Sequence, residues 1–358
     1  ILGHLDPTMI RKLEDLTGID ATQIPLDDKG VMSLFQDTSA LKITPDQLWK
    51  NCDLGTLGVP EFGTDFAMGM LRDTKPKEFS DLVRIAGLAH GTDVWLGNAE
   101  TLIKEGKATI STAICTRDDI MTYLISMGLD SEESFKIMEA VRKGQVAKGK
   151  VKDKWEVWKK DMIDHNVPEW YIWSCERIQY MFPKAHAAAY VMMAWRVAYC
   201  KVYYPLAYYA AFFSIRADSF NYEYMCRGKD VLEDKLKEID EKGDSATAKD
   251  QSMYKDMRVV QEMYARGFEF LPIDLYKSDA RSFQIVDGKL LPPFTAIEGM
   301  GDTAAETLFI AASKGRFLSK EDMRNKGKVS KTIADKMDEL GILGDMSEEN
   351  QMSLFDLK

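Results

Sequence analysis

The sequence has no run of eighteen apolar residues, so no membrane-spanning helix is expected. It has no charged-then-apolar secretory leader either, and a soluble, cytoplasmic protein follows as the expectation. Five cysteines (Cys52, Cys115, Cys175, Cys200, Cys226) are scattered with no CxxC pair, which argues against a zinc ribbon and against a disulfide framework. An initiator Met is missing too. The chain opens on Ile1-Leu2-Gly3-His4, in mid-pattern, and reads as a piece of a longer polypeptide. Positive charge is in deficit, with a net charge of −10, whereas a phosphate-binding domain is more often basic. What the 358 residues do hold is 45% hydrophobic content, enough for two or three domains with cores of their own.

The helical period dominates. Residues 1–50 read as short helices broken by Pro7, Gly18, Pro25 and Pro45, with Thr44 as an N-cap and Pro45 at the first helical position. Residues 51–100 are glycine-rich and loop-like, with helical stretches near Phe62–Leu71 and Phe79–Ala86. Two helices divided at Gly128 fill 117–143, and a long apolar one runs from Pro183 to about Tyr204, where Pro205 interrupts it. Helices follow at Lys229–Glu241 and Ala246–Arg266. Beyond Gly267 the pattern changes. Ser282–Val286, Asp287-Gly288 and Lys289–Leu291 read as a β-hairpin around a type I′ turn. Short helices with tight glycine turns occupy 294–341, and the last ten residues are polar with one apolar tip, expected to be disordered in isolation. The fold class expected is mainly α and multi-domain, with a small β-hairpin and a flexible tail.

One basic run stands out against the acidic background. Arg142, Lys143, Lys148, Lys150, Lys152, Lys154, Lys159 and Lys160 face only Asp153 and Glu156, a pattern that a solvated loop also produces. More specific is Tyr180-Met-Phe-Pro-Lys-Ala-His-Ala-Ala-Ala-Tyr190. Pro183 suits a first helical turn, whose free N–H groups and dipole favour an anion, and Lys184 adds a mobile charge suited to phosphate. Ala185, Ala187, Ala188 and Ala189 leave a helical turn nearly bare, open to a flat object such as a base pair. Tyr180, Phe182, His186 and Tyr190 surround it with stacking surface. A close helix–helix crossing would use the same small residues.

A second motif is Phe294-Thr-Ala-Ile-Glu-Gly-Met-Gly-Asp-Thr-Ala-Ala-Glu-Thr-Leu308. Gly299-Met300-Gly301, with Ala304 and Leu308 at helical spacing, has the form of a helix-hairpin-helix. Two glycines let a phosphate approach backbone N–H groups, and the helix starting near Asp302 and Thr303 turns its positive end there. Such a grip reads no base identity. An ordinary αα-turn is the competing reading. A looser second copy runs from Phe317 to Leu340, with Asn325-Lys-Gly-Lys328 as its hairpin and Lys326, Lys328 and Lys331 as phosphate candidates.

The Tyr180–Tyr190 stretch, with Gly87-Leu-Ala-His-Gly-Thr-Asp-Val-Trp-Leu-Gly-Asn98, Cys115-Thr-Arg-Asp-Asp-Ile-Met121 and Pro168-Glu-Trp-Tyr-Ile172, resembles the fingers of the PolC family, the C-family replicative DNA polymerases of low-GC Gram-positive bacteria. The resemblance runs from Ile1 to Phe355, and its motifs are long and irregular. It implies an end of the palm over 1–40, α-helical fingers over 41–216, a duplex-binding region over 217–345 with tandem helix-hairpin-helix units at about 290–341, and a clamp-binding tail over 346–358. In the family the fingers close on the incoming deoxynucleoside triphosphate. Tyr180, Phe182, Lys184, His186, Ala187 and Tyr190 are then nucleotide-binding candidates, joined by His90 in its glycine-flanked loop and by Arg117 as a triphosphate contact. Without the resemblance, Arg117 would be read as a surface ion pair with Asp118 or Asp119.

Gln351-Met-Ser-Leu-Phe355 is similar to the short peptide by which bacterial polymerases engage the β sliding clamp. Gln351 supplies a donor and an acceptor, Leu354 and Phe355, after Ser353, supply apolar anchors, and Met352 stands where leucine is commoner. The resemblance also implies that the Mg²⁺-holding palm aspartates precede Ile1, that Asp6 and Asp20 are not among them, and that this chain alone carries no catalytic or metal site. Its implied partners are primer–template DNA, the dNTP, the β clamp and the remainder of the polymerase chain, with no membrane. Two other readings remain at this point. A non-catalytic helix-hairpin-helix repair factor that binds DNA and clamp would explain 290–358 but not the 182–190 patch. A helical scaffold without nucleic acid is favoured only by the net charge.

Overall fold

The structure, a computed structural model, describes residues 5–349. Among them stand seventeen α-helices and one two-stranded antiparallel sheet. The fold is mainly α, as the periodicity indicated. Two compact units divide the described residues, the first comprising 5–10, 20–41 and 53–202, the second 11–19, 42–52 and 203–349.

The first unit is organised on the Lys184–Tyr203 helix, which buries Ala187, Val191, Ala194, Trp195, Val197 and Ala198. Trp195 is the centre of an aromatic core. Its ring stacks on Phe35 at 6.1 Å and meets Phe79 edge-on at 5.6 Å, while its indole N–H donates to the Pro25 carbonyl at 2.8 Å. Lys201 is fully buried on the same helix. A buried ammonium is costly unless it is hydrogen-bonded, and here Nζ donates to the carbonyls of Gly55 (2.7 Å) and Leu57 (2.6 Å). The glycine-rich 53–63 segment is thereby tied to the long helix.

The Arg117–Ser126 and Ser131–Arg142 helices form an αα-hairpin that turns at Gly128, whose φ of +102° suits glycine. The Asp130 carboxylate caps the second of them, accepting from the amides of Glu132 and Glu133. The basic run is not a continuous loop. Turns occupy 143–151, and a helix spans Lys152–Asp164 because Trp155 and Met162, seven residues apart, supply a buried stripe. Its charges are partly spent within the protein. Arg142 and Lys143 both bind Glu139, whose carboxyl they hold down at about 2, and Lys159 binds Glu176 at 3.0 Å.

In the second unit the Lys229–Lys242 and Ala248–Ala265 helices pack antiparallel. Strands Gln284–Val286 and Lys289–Leu291 pair in the register Ile285 to Leu290. Asp287 and Gly288 take φ of +50° and +73°, the positive pair that a type I′ turn requires. Phe213, Phe220, Phe270 and Phe283 form a contiguous ring cluster beside the hairpin. Past it, Phe294, Ile297, Met300, Leu308, Met323 and Met337 make the core of the glycine-turn region.

Asp256, on the Ala248–Ala265 helix, is buried and accepts from the Ser219 amide at 2.8 Å. Burial pushes its carboxyl from 3.8 up to about 6, against the pull of that amide. The folded state therefore holds its proton more tightly than the unfolded state. The associated stability is complete below about pH 4 and is lost as pH rises through about 6. Asp256→Asn should raise the melting temperature near pH 7.5, where the wild type buries a charge, and change it little near pH 4. Thermal unfolding at both pH values checks this, and an equal change at the two would contradict the assignment.

Candidate functional site

The start of the Lys184–Tyr203 helix is assembled from four separate segments of the first unit. Residues 180–183 precede the helix without regular structure except at Tyr180. Thr92 and Tyr180 form an antiparallel bridge, with the Thr92 amide donating to the Tyr180 carbonyl at 2.9 Å. The Met181 amide donates to the Arg142 carbonyl at 3.1 Å, and the Arg117 amide to the Phe182 carbonyl at 3.2 Å. At Lys184 the helix begins, and its amide donates to the Asp118 carboxylate at 2.6 Å. Close approach is needed on two sides. A Cβ at Gly87 would meet the Cys115 carbonyl oxygen at 2.7 Å, and one at Gly144 would collide with the carbonyl of Gln179.

This frame collects the aromatic candidates into one array. Tyr180 meets Phe182 edge-on at 5.1 Å, Phe182 stacks on His186 at 4.9 Å, and His186 lies 4.7 Å from Tyr190. His90 closes the group, edge-on to Phe182, His186 and Tyr190 at 5.9, 5.7 and 5.3 Å. It is not in a loop but is the last residue of the Phe79–His90 helix, because that helix continues past Ala86 with Leu88 buried and ends at Gly91. Burial, followed by the charge of His90, lowers the His186 imidazole below its usual range, with Glu61 opposing. The neutral imidazole is thereby favoured.

The bare alanine turn is only partly open. Ala187 is fully buried against the core, the use of small residues that helix packing makes, while Ala185 is exposed and Ala188 and Ala189 are half-buried. Arg117 is half-buried and Lys184 exposed. The two carboxylates that an Arg117 ion pair would use are engaged by amides, Asp118 by Lys184 and Asp119 by Cys115 and Thr116. Sequence reasoning missed Asp118 as the anchor of this helix. It also missed Glu61, whose carboxylate lies 2.5 Å from His90 Nε2. Neither shows a periodic signal, since each acts across a long sequence separation.

The helix-hairpin-helix candidates lie in the second unit. Gly299 takes φ of +88°, Met300 plugs the core between the two glycines, and Gly301 is the N-cap of the Asp302–Ser313 helix. A cleft of about 400 Å³ opens along this turn, lined also by Asn221, Lys249 and Thr295. Asp302 and Thr303 are exposed in the first turn, and Arg281 reaches Asp302 at 3.4 Å and Glu306 at 2.7 Å. In the second copy the turn falls at 328–330 rather than at Asn325–Lys328. Gly327 remains helical because Leu308 packs against it, where a Cβ would come within 2.8 Å, and Lys328 takes the left-handed conformation instead. Lys326 pairs with Asp322 at 2.9 Å, and Lys328 and Lys331 are exposed near the turn. Gln351, Met352, Ser353, Leu354 and Phe355 lie outside the described residues.

Residues 6–166 match the family model described as the bacterial DNA polymerase III alpha subunit finger domain, and residues 267–352 match a helix-hairpin-helix motif. Proteins named DNA polymerase III PolC-type align over 99% of the chain, at 52% identity in Caldanaerobacter subterraneus subsp. tengcongensis and 51% in Streptococcus pyogenes serotype M5. Over nearly its whole length the chain is similar to PolC-type DNA polymerase III. It spans about a quarter of the length of these relatives, 25% and 24% respectively. The finger-domain match includes His90 and Arg117, whereas Tyr180–Tyr190 lie beyond it and align only with the whole PolC-type sequences. Among the described residues no three His, Cys, Asp or Glu side chains stand close enough to hold a metal. The described residues therefore form no Mg²⁺ site. No helix among them is long and apolar enough to cross a membrane.

Proposed function

We propose that this PolC-type segment serves a template-directed DNA polymerase in the cytoplasm, binding the incoming deoxynucleoside triphosphate with its first unit and gripping primer–template duplex with its second. The observation that carries the nucleotide half is the four-ring array of Phe182, His186, Tyr190 and His90 beside Arg117 and Lys184. A base or base pair can stack against such rings, and a triphosphate can be held by an arginine fork and a mobile lysine. Tyr180 extends the stacking edge, and Ala187 sets how closely the helix lies on its core. Phosphoryl transfer would rest on palm carboxylates and Mg²⁺ supplied by the remainder of the polymerase chain.

In the full-length enzyme, Arg117→Ala and Lys184→Ala should each raise the nucleotide KM and lower kcat/KM by about ten- to a hundredfold, because each loses a charge-assisted contact of about 1.5–3 kcal/mol. Single-nucleotide incorporation kinetics checks this. Wild-type constants for both would remove the nucleotide from the first unit.

The duplex half rests on the glycine turn at Gly299–Gly301 and the lysines of the second turn. Asp302 and Thr303 present the helix N-terminus, and Lys326, Lys328 and Lys331 would neutralise phosphates. Binding should be indifferent to sequence, and each lysine removed should flatten the log–log salt dependence by about one unit. A titration in which the triple lysine variant keeps the wild-type salt slope would refute the assignment.

The β sliding clamp is the proposed partner of Gln351–Phe355. A peptide covering this segment should bind the clamp in about the micromolar range, and Leu354→Ala with Phe355→Ala should abolish binding, since two buried apolar anchors contribute about 1.5–3 kcal/mol each. Equal anisotropy titrations for the two peptides would exclude the clamp.

A further inference from the structure

Glu61 has no part in the nucleotide reading so far, yet it touches the side chain that closes the ring array. Its Oε2 lies 2.5 Å from His90 Nε2, and both side chains are about four-fifths buried, at 22% and 18% exposure. The backbone there is strained. Glu61 takes φ of +69°, a left-handed conformation that a residue with a Cβ adopts at a cost. Such strain persists only where the surroundings over-determine it, and it is a starting point for a functional hypothesis. Here the surroundings do so. Lys201 holds the carbonyls of Gly55 and Leu57, Leu54, Leu57, Val59 and Phe62 are buried, and the segment folds back so tightly that a Cβ at Gly63 would meet the Thr56 carbonyl oxygen at 2.8 Å. A rigid loop thus delivers one carboxylate to one imidazole nitrogen.

His90 in turn stands edge-on to three rings, with interplanar angles of 78°, 73° and 87° to Phe182, His186 and Tyr190. Edge-to-face geometry depends on which edge is presented. An imidazole free to flip would present either of two edges, and one bound through Nε2 presents one. We propose that Glu61 is a positioning residue of the nucleotide site, locking the His90 ring so that Phe182, His186 and Tyr190 are held as a single stacking face. The inference rests on the nucleotide reading above. Glu61 touches no substrate in this account and acts through His90.

The test uses Glu61→Gly and Glu61→Gln in the full-length polymerase. Glycine removes the carboxylate and also relieves the left-handed strain, so a purely structural role predicts an unchanged or higher melting temperature with normal kinetics. The positioning role predicts that Glu61→Gly raises the nucleotide KM about tenfold with a smaller fall in kcat, at unchanged primer–template affinity. Glu61→Gln, which keeps an acceptor oxygen for His90, should return KM to within about twofold of wild type. Wild-type KM in Glu61→Gly, or a Gln variant as impaired as the Gly variant, would overturn the proposal. Glu61→Ala carries the same expectation should the glycine variant fail to fold. His90→Ala and His186→Ala separate the two levels. If they raise KM while Glu61→Gly does not, only the role of Glu61 fails. If they too leave KM unchanged, the nucleotide reading itself fails.

Discussion

A single hydrogen bond, from the Lys184 amide to the Asp118 carboxylate, sets the geometry on which the candidate nucleotide site depends. A carboxylate at a helix N-terminus satisfies one of the unpaired amides and complements the dipole. This one also registers two helices, because Asp118 lies in the first turn of Arg117–Ser126 while Lys184 begins Lys184–Tyr203. The neighbouring bond from the Arg117 amide to the Phe182 carbonyl repeats the registration one step away. Together they bring the backbone of Arg117 and of Lys184 next to Phe182, at the start of the array. Near the far end of the long helix, Lys201 fixes the Gly55 and Leu57 carbonyls. The helix is therefore tied at both ends, and its aromatic side chains inherit that rigidity.

Charge is arranged locally rather than in bulk. The net charge of −10 gave the strongest reason to doubt a nucleic-acid role. Next to the glycine turn, however, Glu298 binds Lys249 at 2.5 Å and Lys336 at 3.4 Å, so acid and base are interleaved at side-chain scale. Phosphate binding responds to the field within a Debye length, about 8 Å at physiological salt, and not to the total charge. A helix-hairpin-helix also grips through backbone amides, which carry no formal charge. The finger-domain match over 6–166 speaks against the repair-factor reading, which explained 290–358 but left the 182–190 patch and the basic run without a role.

Much of this was legible because it is local. Asp287-Gly288 specifies its turn through φ alone, Asp130 caps the helix that follows it, and Gly299 and Gly301 bracket a buried Met300. The ring array was legible in part, since His186 and Tyr190 stand four residues apart on one helix and Phe182 lies just before its first turn. What escaped was tertiary. Gly327 was read as a turn glycine, but Leu308 makes it a packing glycine. Ala187 was read as open and faces the core. The basic run was read as a loop, although Trp155 and Met162 make half of it helical. Glu61 sits in a glycine-rich stretch with no period, and only the folded loop brings it to His90.

The central claim is that the array around His186 is where the base of the incoming nucleotide lies. The most direct measurement is photo-crosslinking of the full-length polymerase, on primer–template, to a deoxynucleoside triphosphate carrying a photoreactive base, with the adduct mapped by mass spectrometry. The account predicts adducts on Tyr180–Tyr190 or on His90, competed away by the matching natural nucleotide. Competable adducts found only elsewhere in the polymerase, with these residues unlabelled, would contradict it.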